Sequence, residues 1–238
     1  MFKCLIAALA LSAGISLCVG ATDDAARVPV LLELFTSEGC SSCPPADRLL
    51  EVLDQKQPAA GADLIVLSEH VDYWDRLGWK DPFDSPTYTA RQVYYAKAFH
   101  RGGVFTPQVV VDGRLDGVGA DPTDFARLVG HGTAAAPTPS LGLSPRQVAI
   151  GAGPAPAAAA DVWLVRYDPR LVRTPIGAGE NTGKTLAQRN IVRELVRVGS
   201  WRGAAEALRL PAPTLPGLTD VVLIQLPNGG PILAAARA

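Results

Sequence analysis

The sequence predicts an α/β domain over residues 22–132, followed by a smaller, mainly antiparallel β domain over residues 146–238. Three observations support this division. In the first part, apolar runs typical of buried strands alternate with helix-length amphipathic segments. In the second part, short strand-type runs are separated by turn residues. Between the two parts, residues 133–145 carry several helix and strand breakers and show no hydrophobic period, which is typical of a linker.

The first domain opens with an apolar run at residues 28–35, interrupted by Glu33, which predicts a buried strand. A helix follows from about Cys43, because two prolines after it fit only in a first helical turn. The remaining elements follow in order: a strand at 64–67, a helix opening at 84–86, a hairpin at Asp112-Gly113, and a short helix at 121–128.

The second domain has strand composition in several short runs: 148–150, 161–167, 221–226 and 232–233. Residues 185–198 fit either a helix or a strand, and their β-branched residues favour a strand. Residues 177–185 end like a phosphate-binding loop, but Ala178 stands where a glycine is required. We therefore predict a turn between strands there, with Lys184 in solvent.

Residues 1–21 have the pattern of a cleaved signal peptide: a short basic start, an apolar stretch and small residues near the end. No later run is apolar enough for a membrane span. Lys and Arg total 22 against 23 Asp and Glu, so nothing indicates nucleic acid as a partner. The sequence therefore predicts a periplasmic or secreted protein without a membrane span, whose oligomeric state the sequence leaves open.

The candidate chemistry lies in a Cys-x-x-Cys pair, Cys40 and Cys43, between the first strand and the first helix. Cys40 is expected just ahead of the helix, where unpaired NH groups and the helix dipole favour a thiolate. Removal of the signal peptide would leave this pair as the mature chain's cysteines. A bridge over so short a loop adds little stability, about 2 kcal/mol in the chain-entropy account.

We therefore favour a thiol-disulfide oxidoreductase over a structural bridge. Its partners would be thiol- or disulfide-bearing proteins or small thiols. No organic cofactor is required, because the redox-active disulfide itself carries the electrons. The direction of exchange stays open.

Aromatic and ionisable residues are dense in residues 69–81, directly after the second predicted strand. Ends of parallel strands are where sites gather, so Trp74 is a candidate for lining a substrate groove and His70 for a proton shuttle. The alternative is a solvated, salt-bridged loop with its tryptophans packed underneath.

Two further functions remain open. Cys40, Cys43 and His70 could together bind copper or zinc, although no second ligand pair completes a tetrahedral set. A non-catalytic binding protein with a fixed disulfide is the other alternative.

The order of strand, Cys-x-x-Cys at a helix start, strand, helix and an x-Pro hairpin is similar to the thioredoxin fold. More narrowly, residues 33–47, 70–75 and 105–108 resemble the exported thioredoxin-like family catalogued as domain of unknown function 1223. The resemblance implies a thioredoxin-like first domain, with Thr106 and a cis Pro107 holding an extended substrate against the cysteines. It also implies that Glu33 is a buried acid for proton transfer.

Overall fold

The computed structural model describes residues 27–57, 62–121, 123, 126–129 and 139–238. The predicted signal peptide at residues 1–21 lies outside the described residues, as do the first part of the predicted linker and part of the predicted helix at 121–128. The described residues form an eight-stranded mixed sheet, accompanied by a three-stranded and a two-stranded sheet.

The helices that bear on the site are α1 (Cys43–Lys56), α2 (Pro86–Ala98) and a 3-10 helix (Asp72–Leu77). The main sheet has the spatial order β13 (Ile232–Arg237), β12 (Thr219–Gln225), β7 (Ala160–Asp168), β10 (Ile191–Trp201), β2 (Ala62–His70), β1 (Val28–Thr36), β3 (Gln108–Val111) and β4 (Leu115–Gly117). The three-stranded sheet contains β11 (Glu206–Arg209), β6 (Gln147–Ile150) and β5 (Leu141–Ser144), and the two-stranded sheet pairs β8 (Val172–Pro175) with β9 (Thr185–Gln188). No helix of the described residues is long and apolar enough to span a bilayer.

Strand β1 is the centre of the N-terminal part because both of its faces are covered. It pairs in parallel with β2 and antiparallel with β3. Leu32 and Leu34 pack in the hydrophobic cluster that includes α1, whereas Leu31 packs on the opposite face with strands of the C-terminal part. Alternation therefore places Glu33 on the face away from α1.

The predicted helix starts are confirmed. Helix α1 begins at Cys43 with Ser42 as its N-cap and prolines in the first turn. Helix α2 begins after Ser85, whose hydroxyl oxygen accepts a hydrogen bond from the Thr87 backbone NH at 3.2 Å. Backbone NH groups in a first helical turn have no partner within the helix, so proline, which has no NH, fits there, and a serine before the helix can accept a hydrogen bond from one of these NH groups.

The predicted hairpin at Asp112-Gly113 is also confirmed between β3 and β4. Both turn residues have positive φ, 49° and 61°, as such a turn requires. A β-carbon on Gly113 would lie 2.7 Å from the Gly230 carbonyl oxygen. The hairpin therefore packs directly against the turn between β12 and β13.

The predicted strands of the C-terminal part are confirmed as β6, β7, β12 and β13, and residues 185–198 contribute to strands β9 and β10. Residues 191–201 form a strand because their backbone NH and carbonyl groups find hydrogen-bond partners in the long antiparallel pairing of β10 with β7.

The predicted fold class, an α/β thioredoxin-like domain followed by a separate smaller β domain, is wrong. The described residues instead form a mostly β structure in which one mixed sheet contains strands from both parts of the chain. Strand β10 joins the free edge of β2, where Ile191 pairs with Ser68 and the Ser68 NH donates to the Asn190 carbonyl at 2.9 Å. An edge with unpaired backbone groups offers a template for another strand, and the C-terminal part supplies it.

A buried polar network also joins the two parts of the chain. Arg91 on α2 donates from Nε to Glu33 Oε1 at 2.5 Å and from Nη1 to Gln225 Oε1 at 2.9 Å. Tyr95 donates its hydroxyl to the other oxygen of Glu33. A second buried carboxyl, Glu69, has Oε1 at 3.6 Å from Arg91 Nε. One guanidinium thus compensates buried acids from two strands and contacts a third.

We predict that Arg91→Met lowers the free energy of unfolding by roughly 3–5 kcal/mol at neutral pH, because the Glu33 charge stays buried without its partner. Urea unfolding measures this loss. The control is Arg197→Met, because Arg197 is 51% exposed and its partner Asp161 is 20% exposed, so water replaces most of this ion pair and the loss should be much smaller. Equal losses in the two variants would contradict the compensating role of Arg91.

Candidate functional site

The candidate site surrounds a disulfide at the carboxyl end of β1. Cys40 and Cys43 are bonded, with their Cα atoms 5.5 Å apart, and both residues are fully buried. We call residues 37–43 the disulfide loop. The loop lies between β1 and α1, so Cys43 occupies the first helical position and Cys40 precedes the helix, as the prolines predicted.

A buried carboxyl, Asp47, lies one helical turn after Cys43 on α1. Residues four apart on a helix share a face, so Asp47 and Cys43 lie on the same side of α1. Asp47 Oδ1 accepts a hydrogen bond from the Thr36 hydroxyl at 2.9 Å. Asp47 Oδ2 accepts one from the side-chain amide of Gln188 in β9 at 3.4 Å. Burial raises the pKa of Asp47 to about 6, although His70, Thr36 and Gln188 each act to lower it. Asp47 can therefore gain or lose a proton near neutral pH.

An ion pair between His70 and Asp81 lies beside this carboxyl. His70, the last residue of β2, is fully buried, and its Nδ1 is 2.7 Å from Asp81 Oδ2. Burial acts to lower the pKa of His70, but the Asp81, Asp47 and Glu38 carboxylates together raise it. Burial acts to raise the pKa of Asp81, but His70 and the backbone NH groups of Glu38 and Phe83 together lower it. His70 Nε2 has no hydrogen-bond partner among the described residues.

Glu38 of the disulfide loop completes a buried acid-base cluster with Asp47, His70 and Asp81. Its backbone NH donates to Asp81 Oδ2 at 2.9 Å, and its Oε2 accepts from the Trp79 indole at 2.9 Å. Burial and the Asp81 charge raise the pKa of Glu38. His70 was a candidate from the sequence, whereas the three acids were not. For Asp47, the available signal was its spacing of four residues from Cys43 on one helix.

The exposed side of the disulfide loop faces the Thr106-Pro107 segment. The Ser42 hydroxyl oxygen is 3.3 Å from Cys40 Sγ, and this hydroxyl donates to the Thr106 carbonyl at 3.4 Å. Trp74 donates from its indole to the Thr106 hydroxyl at 2.8 Å. The peptide bond between Thr106 and Pro107 is cis. The structure therefore gathers Cys40, Cys43, Trp74, Thr106 and Pro107 as the sequence suggested.

Glu33, the remaining predicted catalytic residue, is placed elsewhere. Its carboxylate lies in the Arg91 and Tyr95 network, on the face of the sheet away from α1. The buried acid that the fold brings to the cysteines is Asp47.

The predicted metal ligands Cys40, Cys43 and His70 are not assembled as a ligand set. The cysteines are bonded to each other, and His70 Nδ1 is paired with Asp81. Within the part of the chain that the structure describes, no group of three or more His, Cys, Asp or Glu side chains could hold a metal ion.

A segment from the C-terminal part also contacts the disulfide loop. We call residues 176–184, between β8 and β9, the strap; they form the turn predicted for the phosphate-loop-like sequence. Asn181 Nδ2 is 2.9 Å from the carbonyl oxygens of both Glu38 and Cys40. Glu180 Oε2 accepts from the Ser41 NH and hydroxyl at 2.9 and 2.7 Å. Sequence reasoning had no signal for these contacts, since about 140 residues separate the partners.

Comparison with known proteins identifies the family. Residues 31–225 match the family described as Protein of unknown function (DUF1223). The chain belongs to this family. The match includes the disulfide loop, the Thr106-Pro107 segment and the strap, so the DUF1223 region contains every part of the candidate site.

Two solved structures are similar to this DUF1223 chain. The crystal structure of protein AGR_C_4864 from Agrobacterium tumefaciens has 32% sequence identity and a TM-score of 0.72, covering 89% of this chain and 94% of that one. HBP35 of Porphyromonas gingivalis has 15% identity and a TM-score of 0.57, covering 89% of this chain and 75% of that one, and this likeness concerns the fold alone. No curated protein matches the chain.

We predict that Asp81→Asn destabilises the protein more in mild acid than in base. Because the pKa of His70 is raised on folding, its ion pair contributes its full stability below the unfolded pKa of about 6.5, and this stability is lost as the pH rises through the folded pKa. Because the pKa of Asp81 is lowered on folding, its contribution to stability is present above its unfolded pKa of about 4 and is lost only in stronger acid. We expect a loss of roughly 3 kcal/mol near pH 5.5 and about 1 kcal/mol near pH 9, where a hydrogen bond remains.

Urea unfolding at the two pH values tests this prediction. The control is Asp161→Asn, whose partner Arg197 is 51% exposed and keeps its charge at both pH values. A loss for Asp81→Asn that is equal at both pH values would show that His70 is not charged in the folded protein.

Proposed function

We propose that this protein is an exported thiol-disulfide oxidoreductase whose redox centre is the Cys40–Cys43 disulfide. The observation that carries the proposal is the position of this disulfide at the start of α1, one helical turn ahead of the buried, titratable Asp47. Its partners would be proteins or small molecules bearing thiols or disulfides, and its place of work the periplasm or the cell exterior.

The length of the disulfide loop argues against a purely structural bridge. In the chain-entropy account, a loop this short restricts the unfolded chain by roughly 2 kcal/mol, against more than about 4 for a loop of a hundred residues. A large surrounding core of buried strands already orders this region. The bridge therefore contributes little as a staple.

Different roles are proposed for the two sulfurs. Cys40 Sγ is the sulfur beside the Ser42 hydroxyl and the Thr106 segment, where a partner could lie. Cys43 is inside the first turn of α1, on the face that carries Asp47. Cys40 is therefore proposed as the sulfur that forms the mixed disulfide, and Cys43 as the one that leaves and resolves.

Reduction of the pair would take place in two exchanges. A partner thiolate attacks Cys40 Sγ, the Cys40–Cys43 bond breaks, and its electron pair stays on Cys43 as a thiolate that Asp47 can protonate. A second partner thiolate then attacks the partner sulfur of the mixed disulfide and releases Cys40 as a thiolate. Two electrons enter the protein and one partner disulfide forms. The reverse sequence oxidises Cys40 and Cys43 while it reduces a partner disulfide.

The surroundings favour the intermediates of this sequence. The dipole at the start of α1 stabilises a thiolate at Cys40. Trp74 and the Thr106 segment offer an aromatic face and a peptide carbonyl beside it for a partner to contact. Both cysteines are fully buried, so exchange requires the disulfide loop to open.

The reduction potential of the pair tests the proposal. The mature protein is equilibrated in glutathione buffers, and free thiols are trapped and counted. A potential between about −120 and −270 mV is expected, the range of proteins that exchange disulfides. A potential below about −300 mV, or no exchange in native buffer, would overturn the proposal in favour of a fixed bridge.

We predict that Cys43→Ser accumulates a mixed disulfide at Cys40 when incubated with oxidised glutathione, because the resolving thiol is missing. Intact mass spectrometry measures one added glutathione per chain. The matched control, Cys40→Ser, should accumulate at least about tenfold less, since Cys43 is inside the first turn of α1, whereas Cys40 Sγ lies beside the Ser42 hydroxyl, which reaches the Thr106 segment. Equal labelling of the two variants would contradict the assignment of roles.

We predict that Asp47→Asn slows reduction of the disulfide by dithiothreitol at least about tenfold below pH 6, because the leaving Cys43 loses its proton donor. Rates are divided by the thiolate concentration at each pH. The wild type should show an inflection where Asp47 titrates, near its pKa of about 6, and the variant should lack it. Glu51→Gln, one turn further along α1, is the control and should keep the inflection. If the inflection disappears in both variants, or remains in both, Asp47 is excluded as the donor.

A further inference from the structure

The strap lies against the disulfide loop from Glu38 to Ser41. Its Asn181 bonds the carbonyls of Glu38 and Cys40, and its Glu180 bonds Ser41. Between these bonds the two backbones approach each other, since a β-carbon added to Gly179 would lie 3.6 Å from Gly39 Cα. These contacts belong to the part of the loop that must move when the disulfide opens.

Asn181 makes the central contact. It is fully buried, and its Nδ2 group donates to the two carbonyls at 2.9 Å each. Its Oδ1 accepts from Lys184 Nζ at 2.9 Å, which fixes the orientation of the amide. A buried carbonyl that loses a donor is destabilised, so these bonds hold the backbone on both sides of Gly39 in place, together with the Cys43 NH, which also donates to the Cys40 carbonyl at 3.3 Å.

We propose that Asn181 is a positioning residue that stabilises the disulfide-bonded form of the Cys40–Cys43 pair and thereby makes it harder to reduce. The proposal rests on the redox function proposed above. Reduction lets the two sulfurs move from covalent to van der Waals separation, and Cys40 must shift relative to α1. Asn181 bonds the carbonyl of Cys40 itself, so its two hydrogen bonds are best formed in the oxidised loop and weaken when that loop rearranges.

Glu180 reinforces this effect at the next residue. Its carboxylate accepts two hydrogen bonds from Ser41, the residue that follows Cys40, and bonds to a charged acceptor are stronger than neutral ones. These two bonds lower the pKa of Glu180, so the carboxylate is charged at neutral pH. Because Glu180 is exposed, water can replace these bonds, and its contribution is smaller than that of buried Asn181.

The test compares wild type and Asn181→Ala in equilibrium with dithiothreitol buffers. We expect the variant to be about tenfold more reduced at equal buffer composition, a shift of about 30 mV to more positive potential for a two-electron couple. Unfolding by urea, measured separately for the oxidised and the fully reduced forms, should show a larger loss in the oxidised form. Glu180→Gln, a milder change that keeps the side-chain shape, should shift the equilibrium in the same direction by about twofold.

Asn228→Ala is the matched control. Asn228 has a φ of 59° in the turn between β12 and β13, so alanine strains this turn and destabilises the fold without changing the strap. It should destabilise the oxidised and reduced forms equally and leave the equilibrium with dithiothreitol unchanged.

Equal losses in both redox forms of Asn181→Ala, with an unchanged equilibrium, would overturn the proposal and leave Asn181 a structural residue. This outcome is separate from failure of the proposed function. A wild type that does not exchange with thiols in native buffer would overturn the redox function, whereas the two unfolding measurements would still report whether the strap favours the oxidised loop.

Discussion

The parallel pairing of β1 and β2 is the constraint on which the candidate site depends. Its register places Thr36 opposite His70 at the ends of the two strands. Because parallel strands end at the same edge of a sheet, the chain segments that follow them meet there. One segment carries the two cysteines, and the other carries Trp74 and Asp81. A shift of one residue would turn His70 to the other face and separate it from Asp47.

Buried charge explains how the rest of the chain is arranged around this edge. An ionised side chain is costly in a dry interior unless an opposite charge or hydrogen bonds accompany it. His70 is paired with Asp81, Glu33 with Arg91, and the fully buried Arg166 with Glu194 and Asp220. Most of these partners come from different elements. Their pairing therefore fixes the positions of helices and strands relative to one another as firmly as the apolar core does.

The C-terminal part of the chain belongs to the site as well as to the sheet. Gln188 reaches Asp47 from β9, and the strap reaches the disulfide loop through Glu180 and Asn181. The hairpin of β8 and β9 thus contacts both the disulfide loop and Asp47. The surroundings of the disulfide therefore come from both parts of the chain, and a fragment ending near residue 130 would lack the Glu180 and Asn181 contacts to the disulfide loop.

Several local features followed from the sequence by itself. The prolines after Cys43 determined where α1 begins, Ser85 marked the start of α2, and Asp112-Gly113 marked a hairpin, because each reflects the conformations open to one or two residues. The positions of most strands along the chain followed from their composition, whereas the approach of Thr106 to the cysteines followed only from the family resemblance.

Tertiary structure decided the fold class, the position of Asp47 near the cysteines and the contacts of the strap with the disulfide loop. Two separate domains were expected, yet Ile191 pairs with Ser68 and one sheet results. An apolar run such as that of β2 shows that a strand is buried but not which strand lies beside it, since hydrogen bonds between strands involve backbone groups common to all residues. Likewise, the resemblance implies Glu33 as the buried acid, because alternation along one strand does not tell which face meets the cysteines, whereas the folded chain places Asp47 on the same helix face as Cys43. The sequence determined its local turns and caps; contacts between residues more than a hundred positions apart depended on the folded chain.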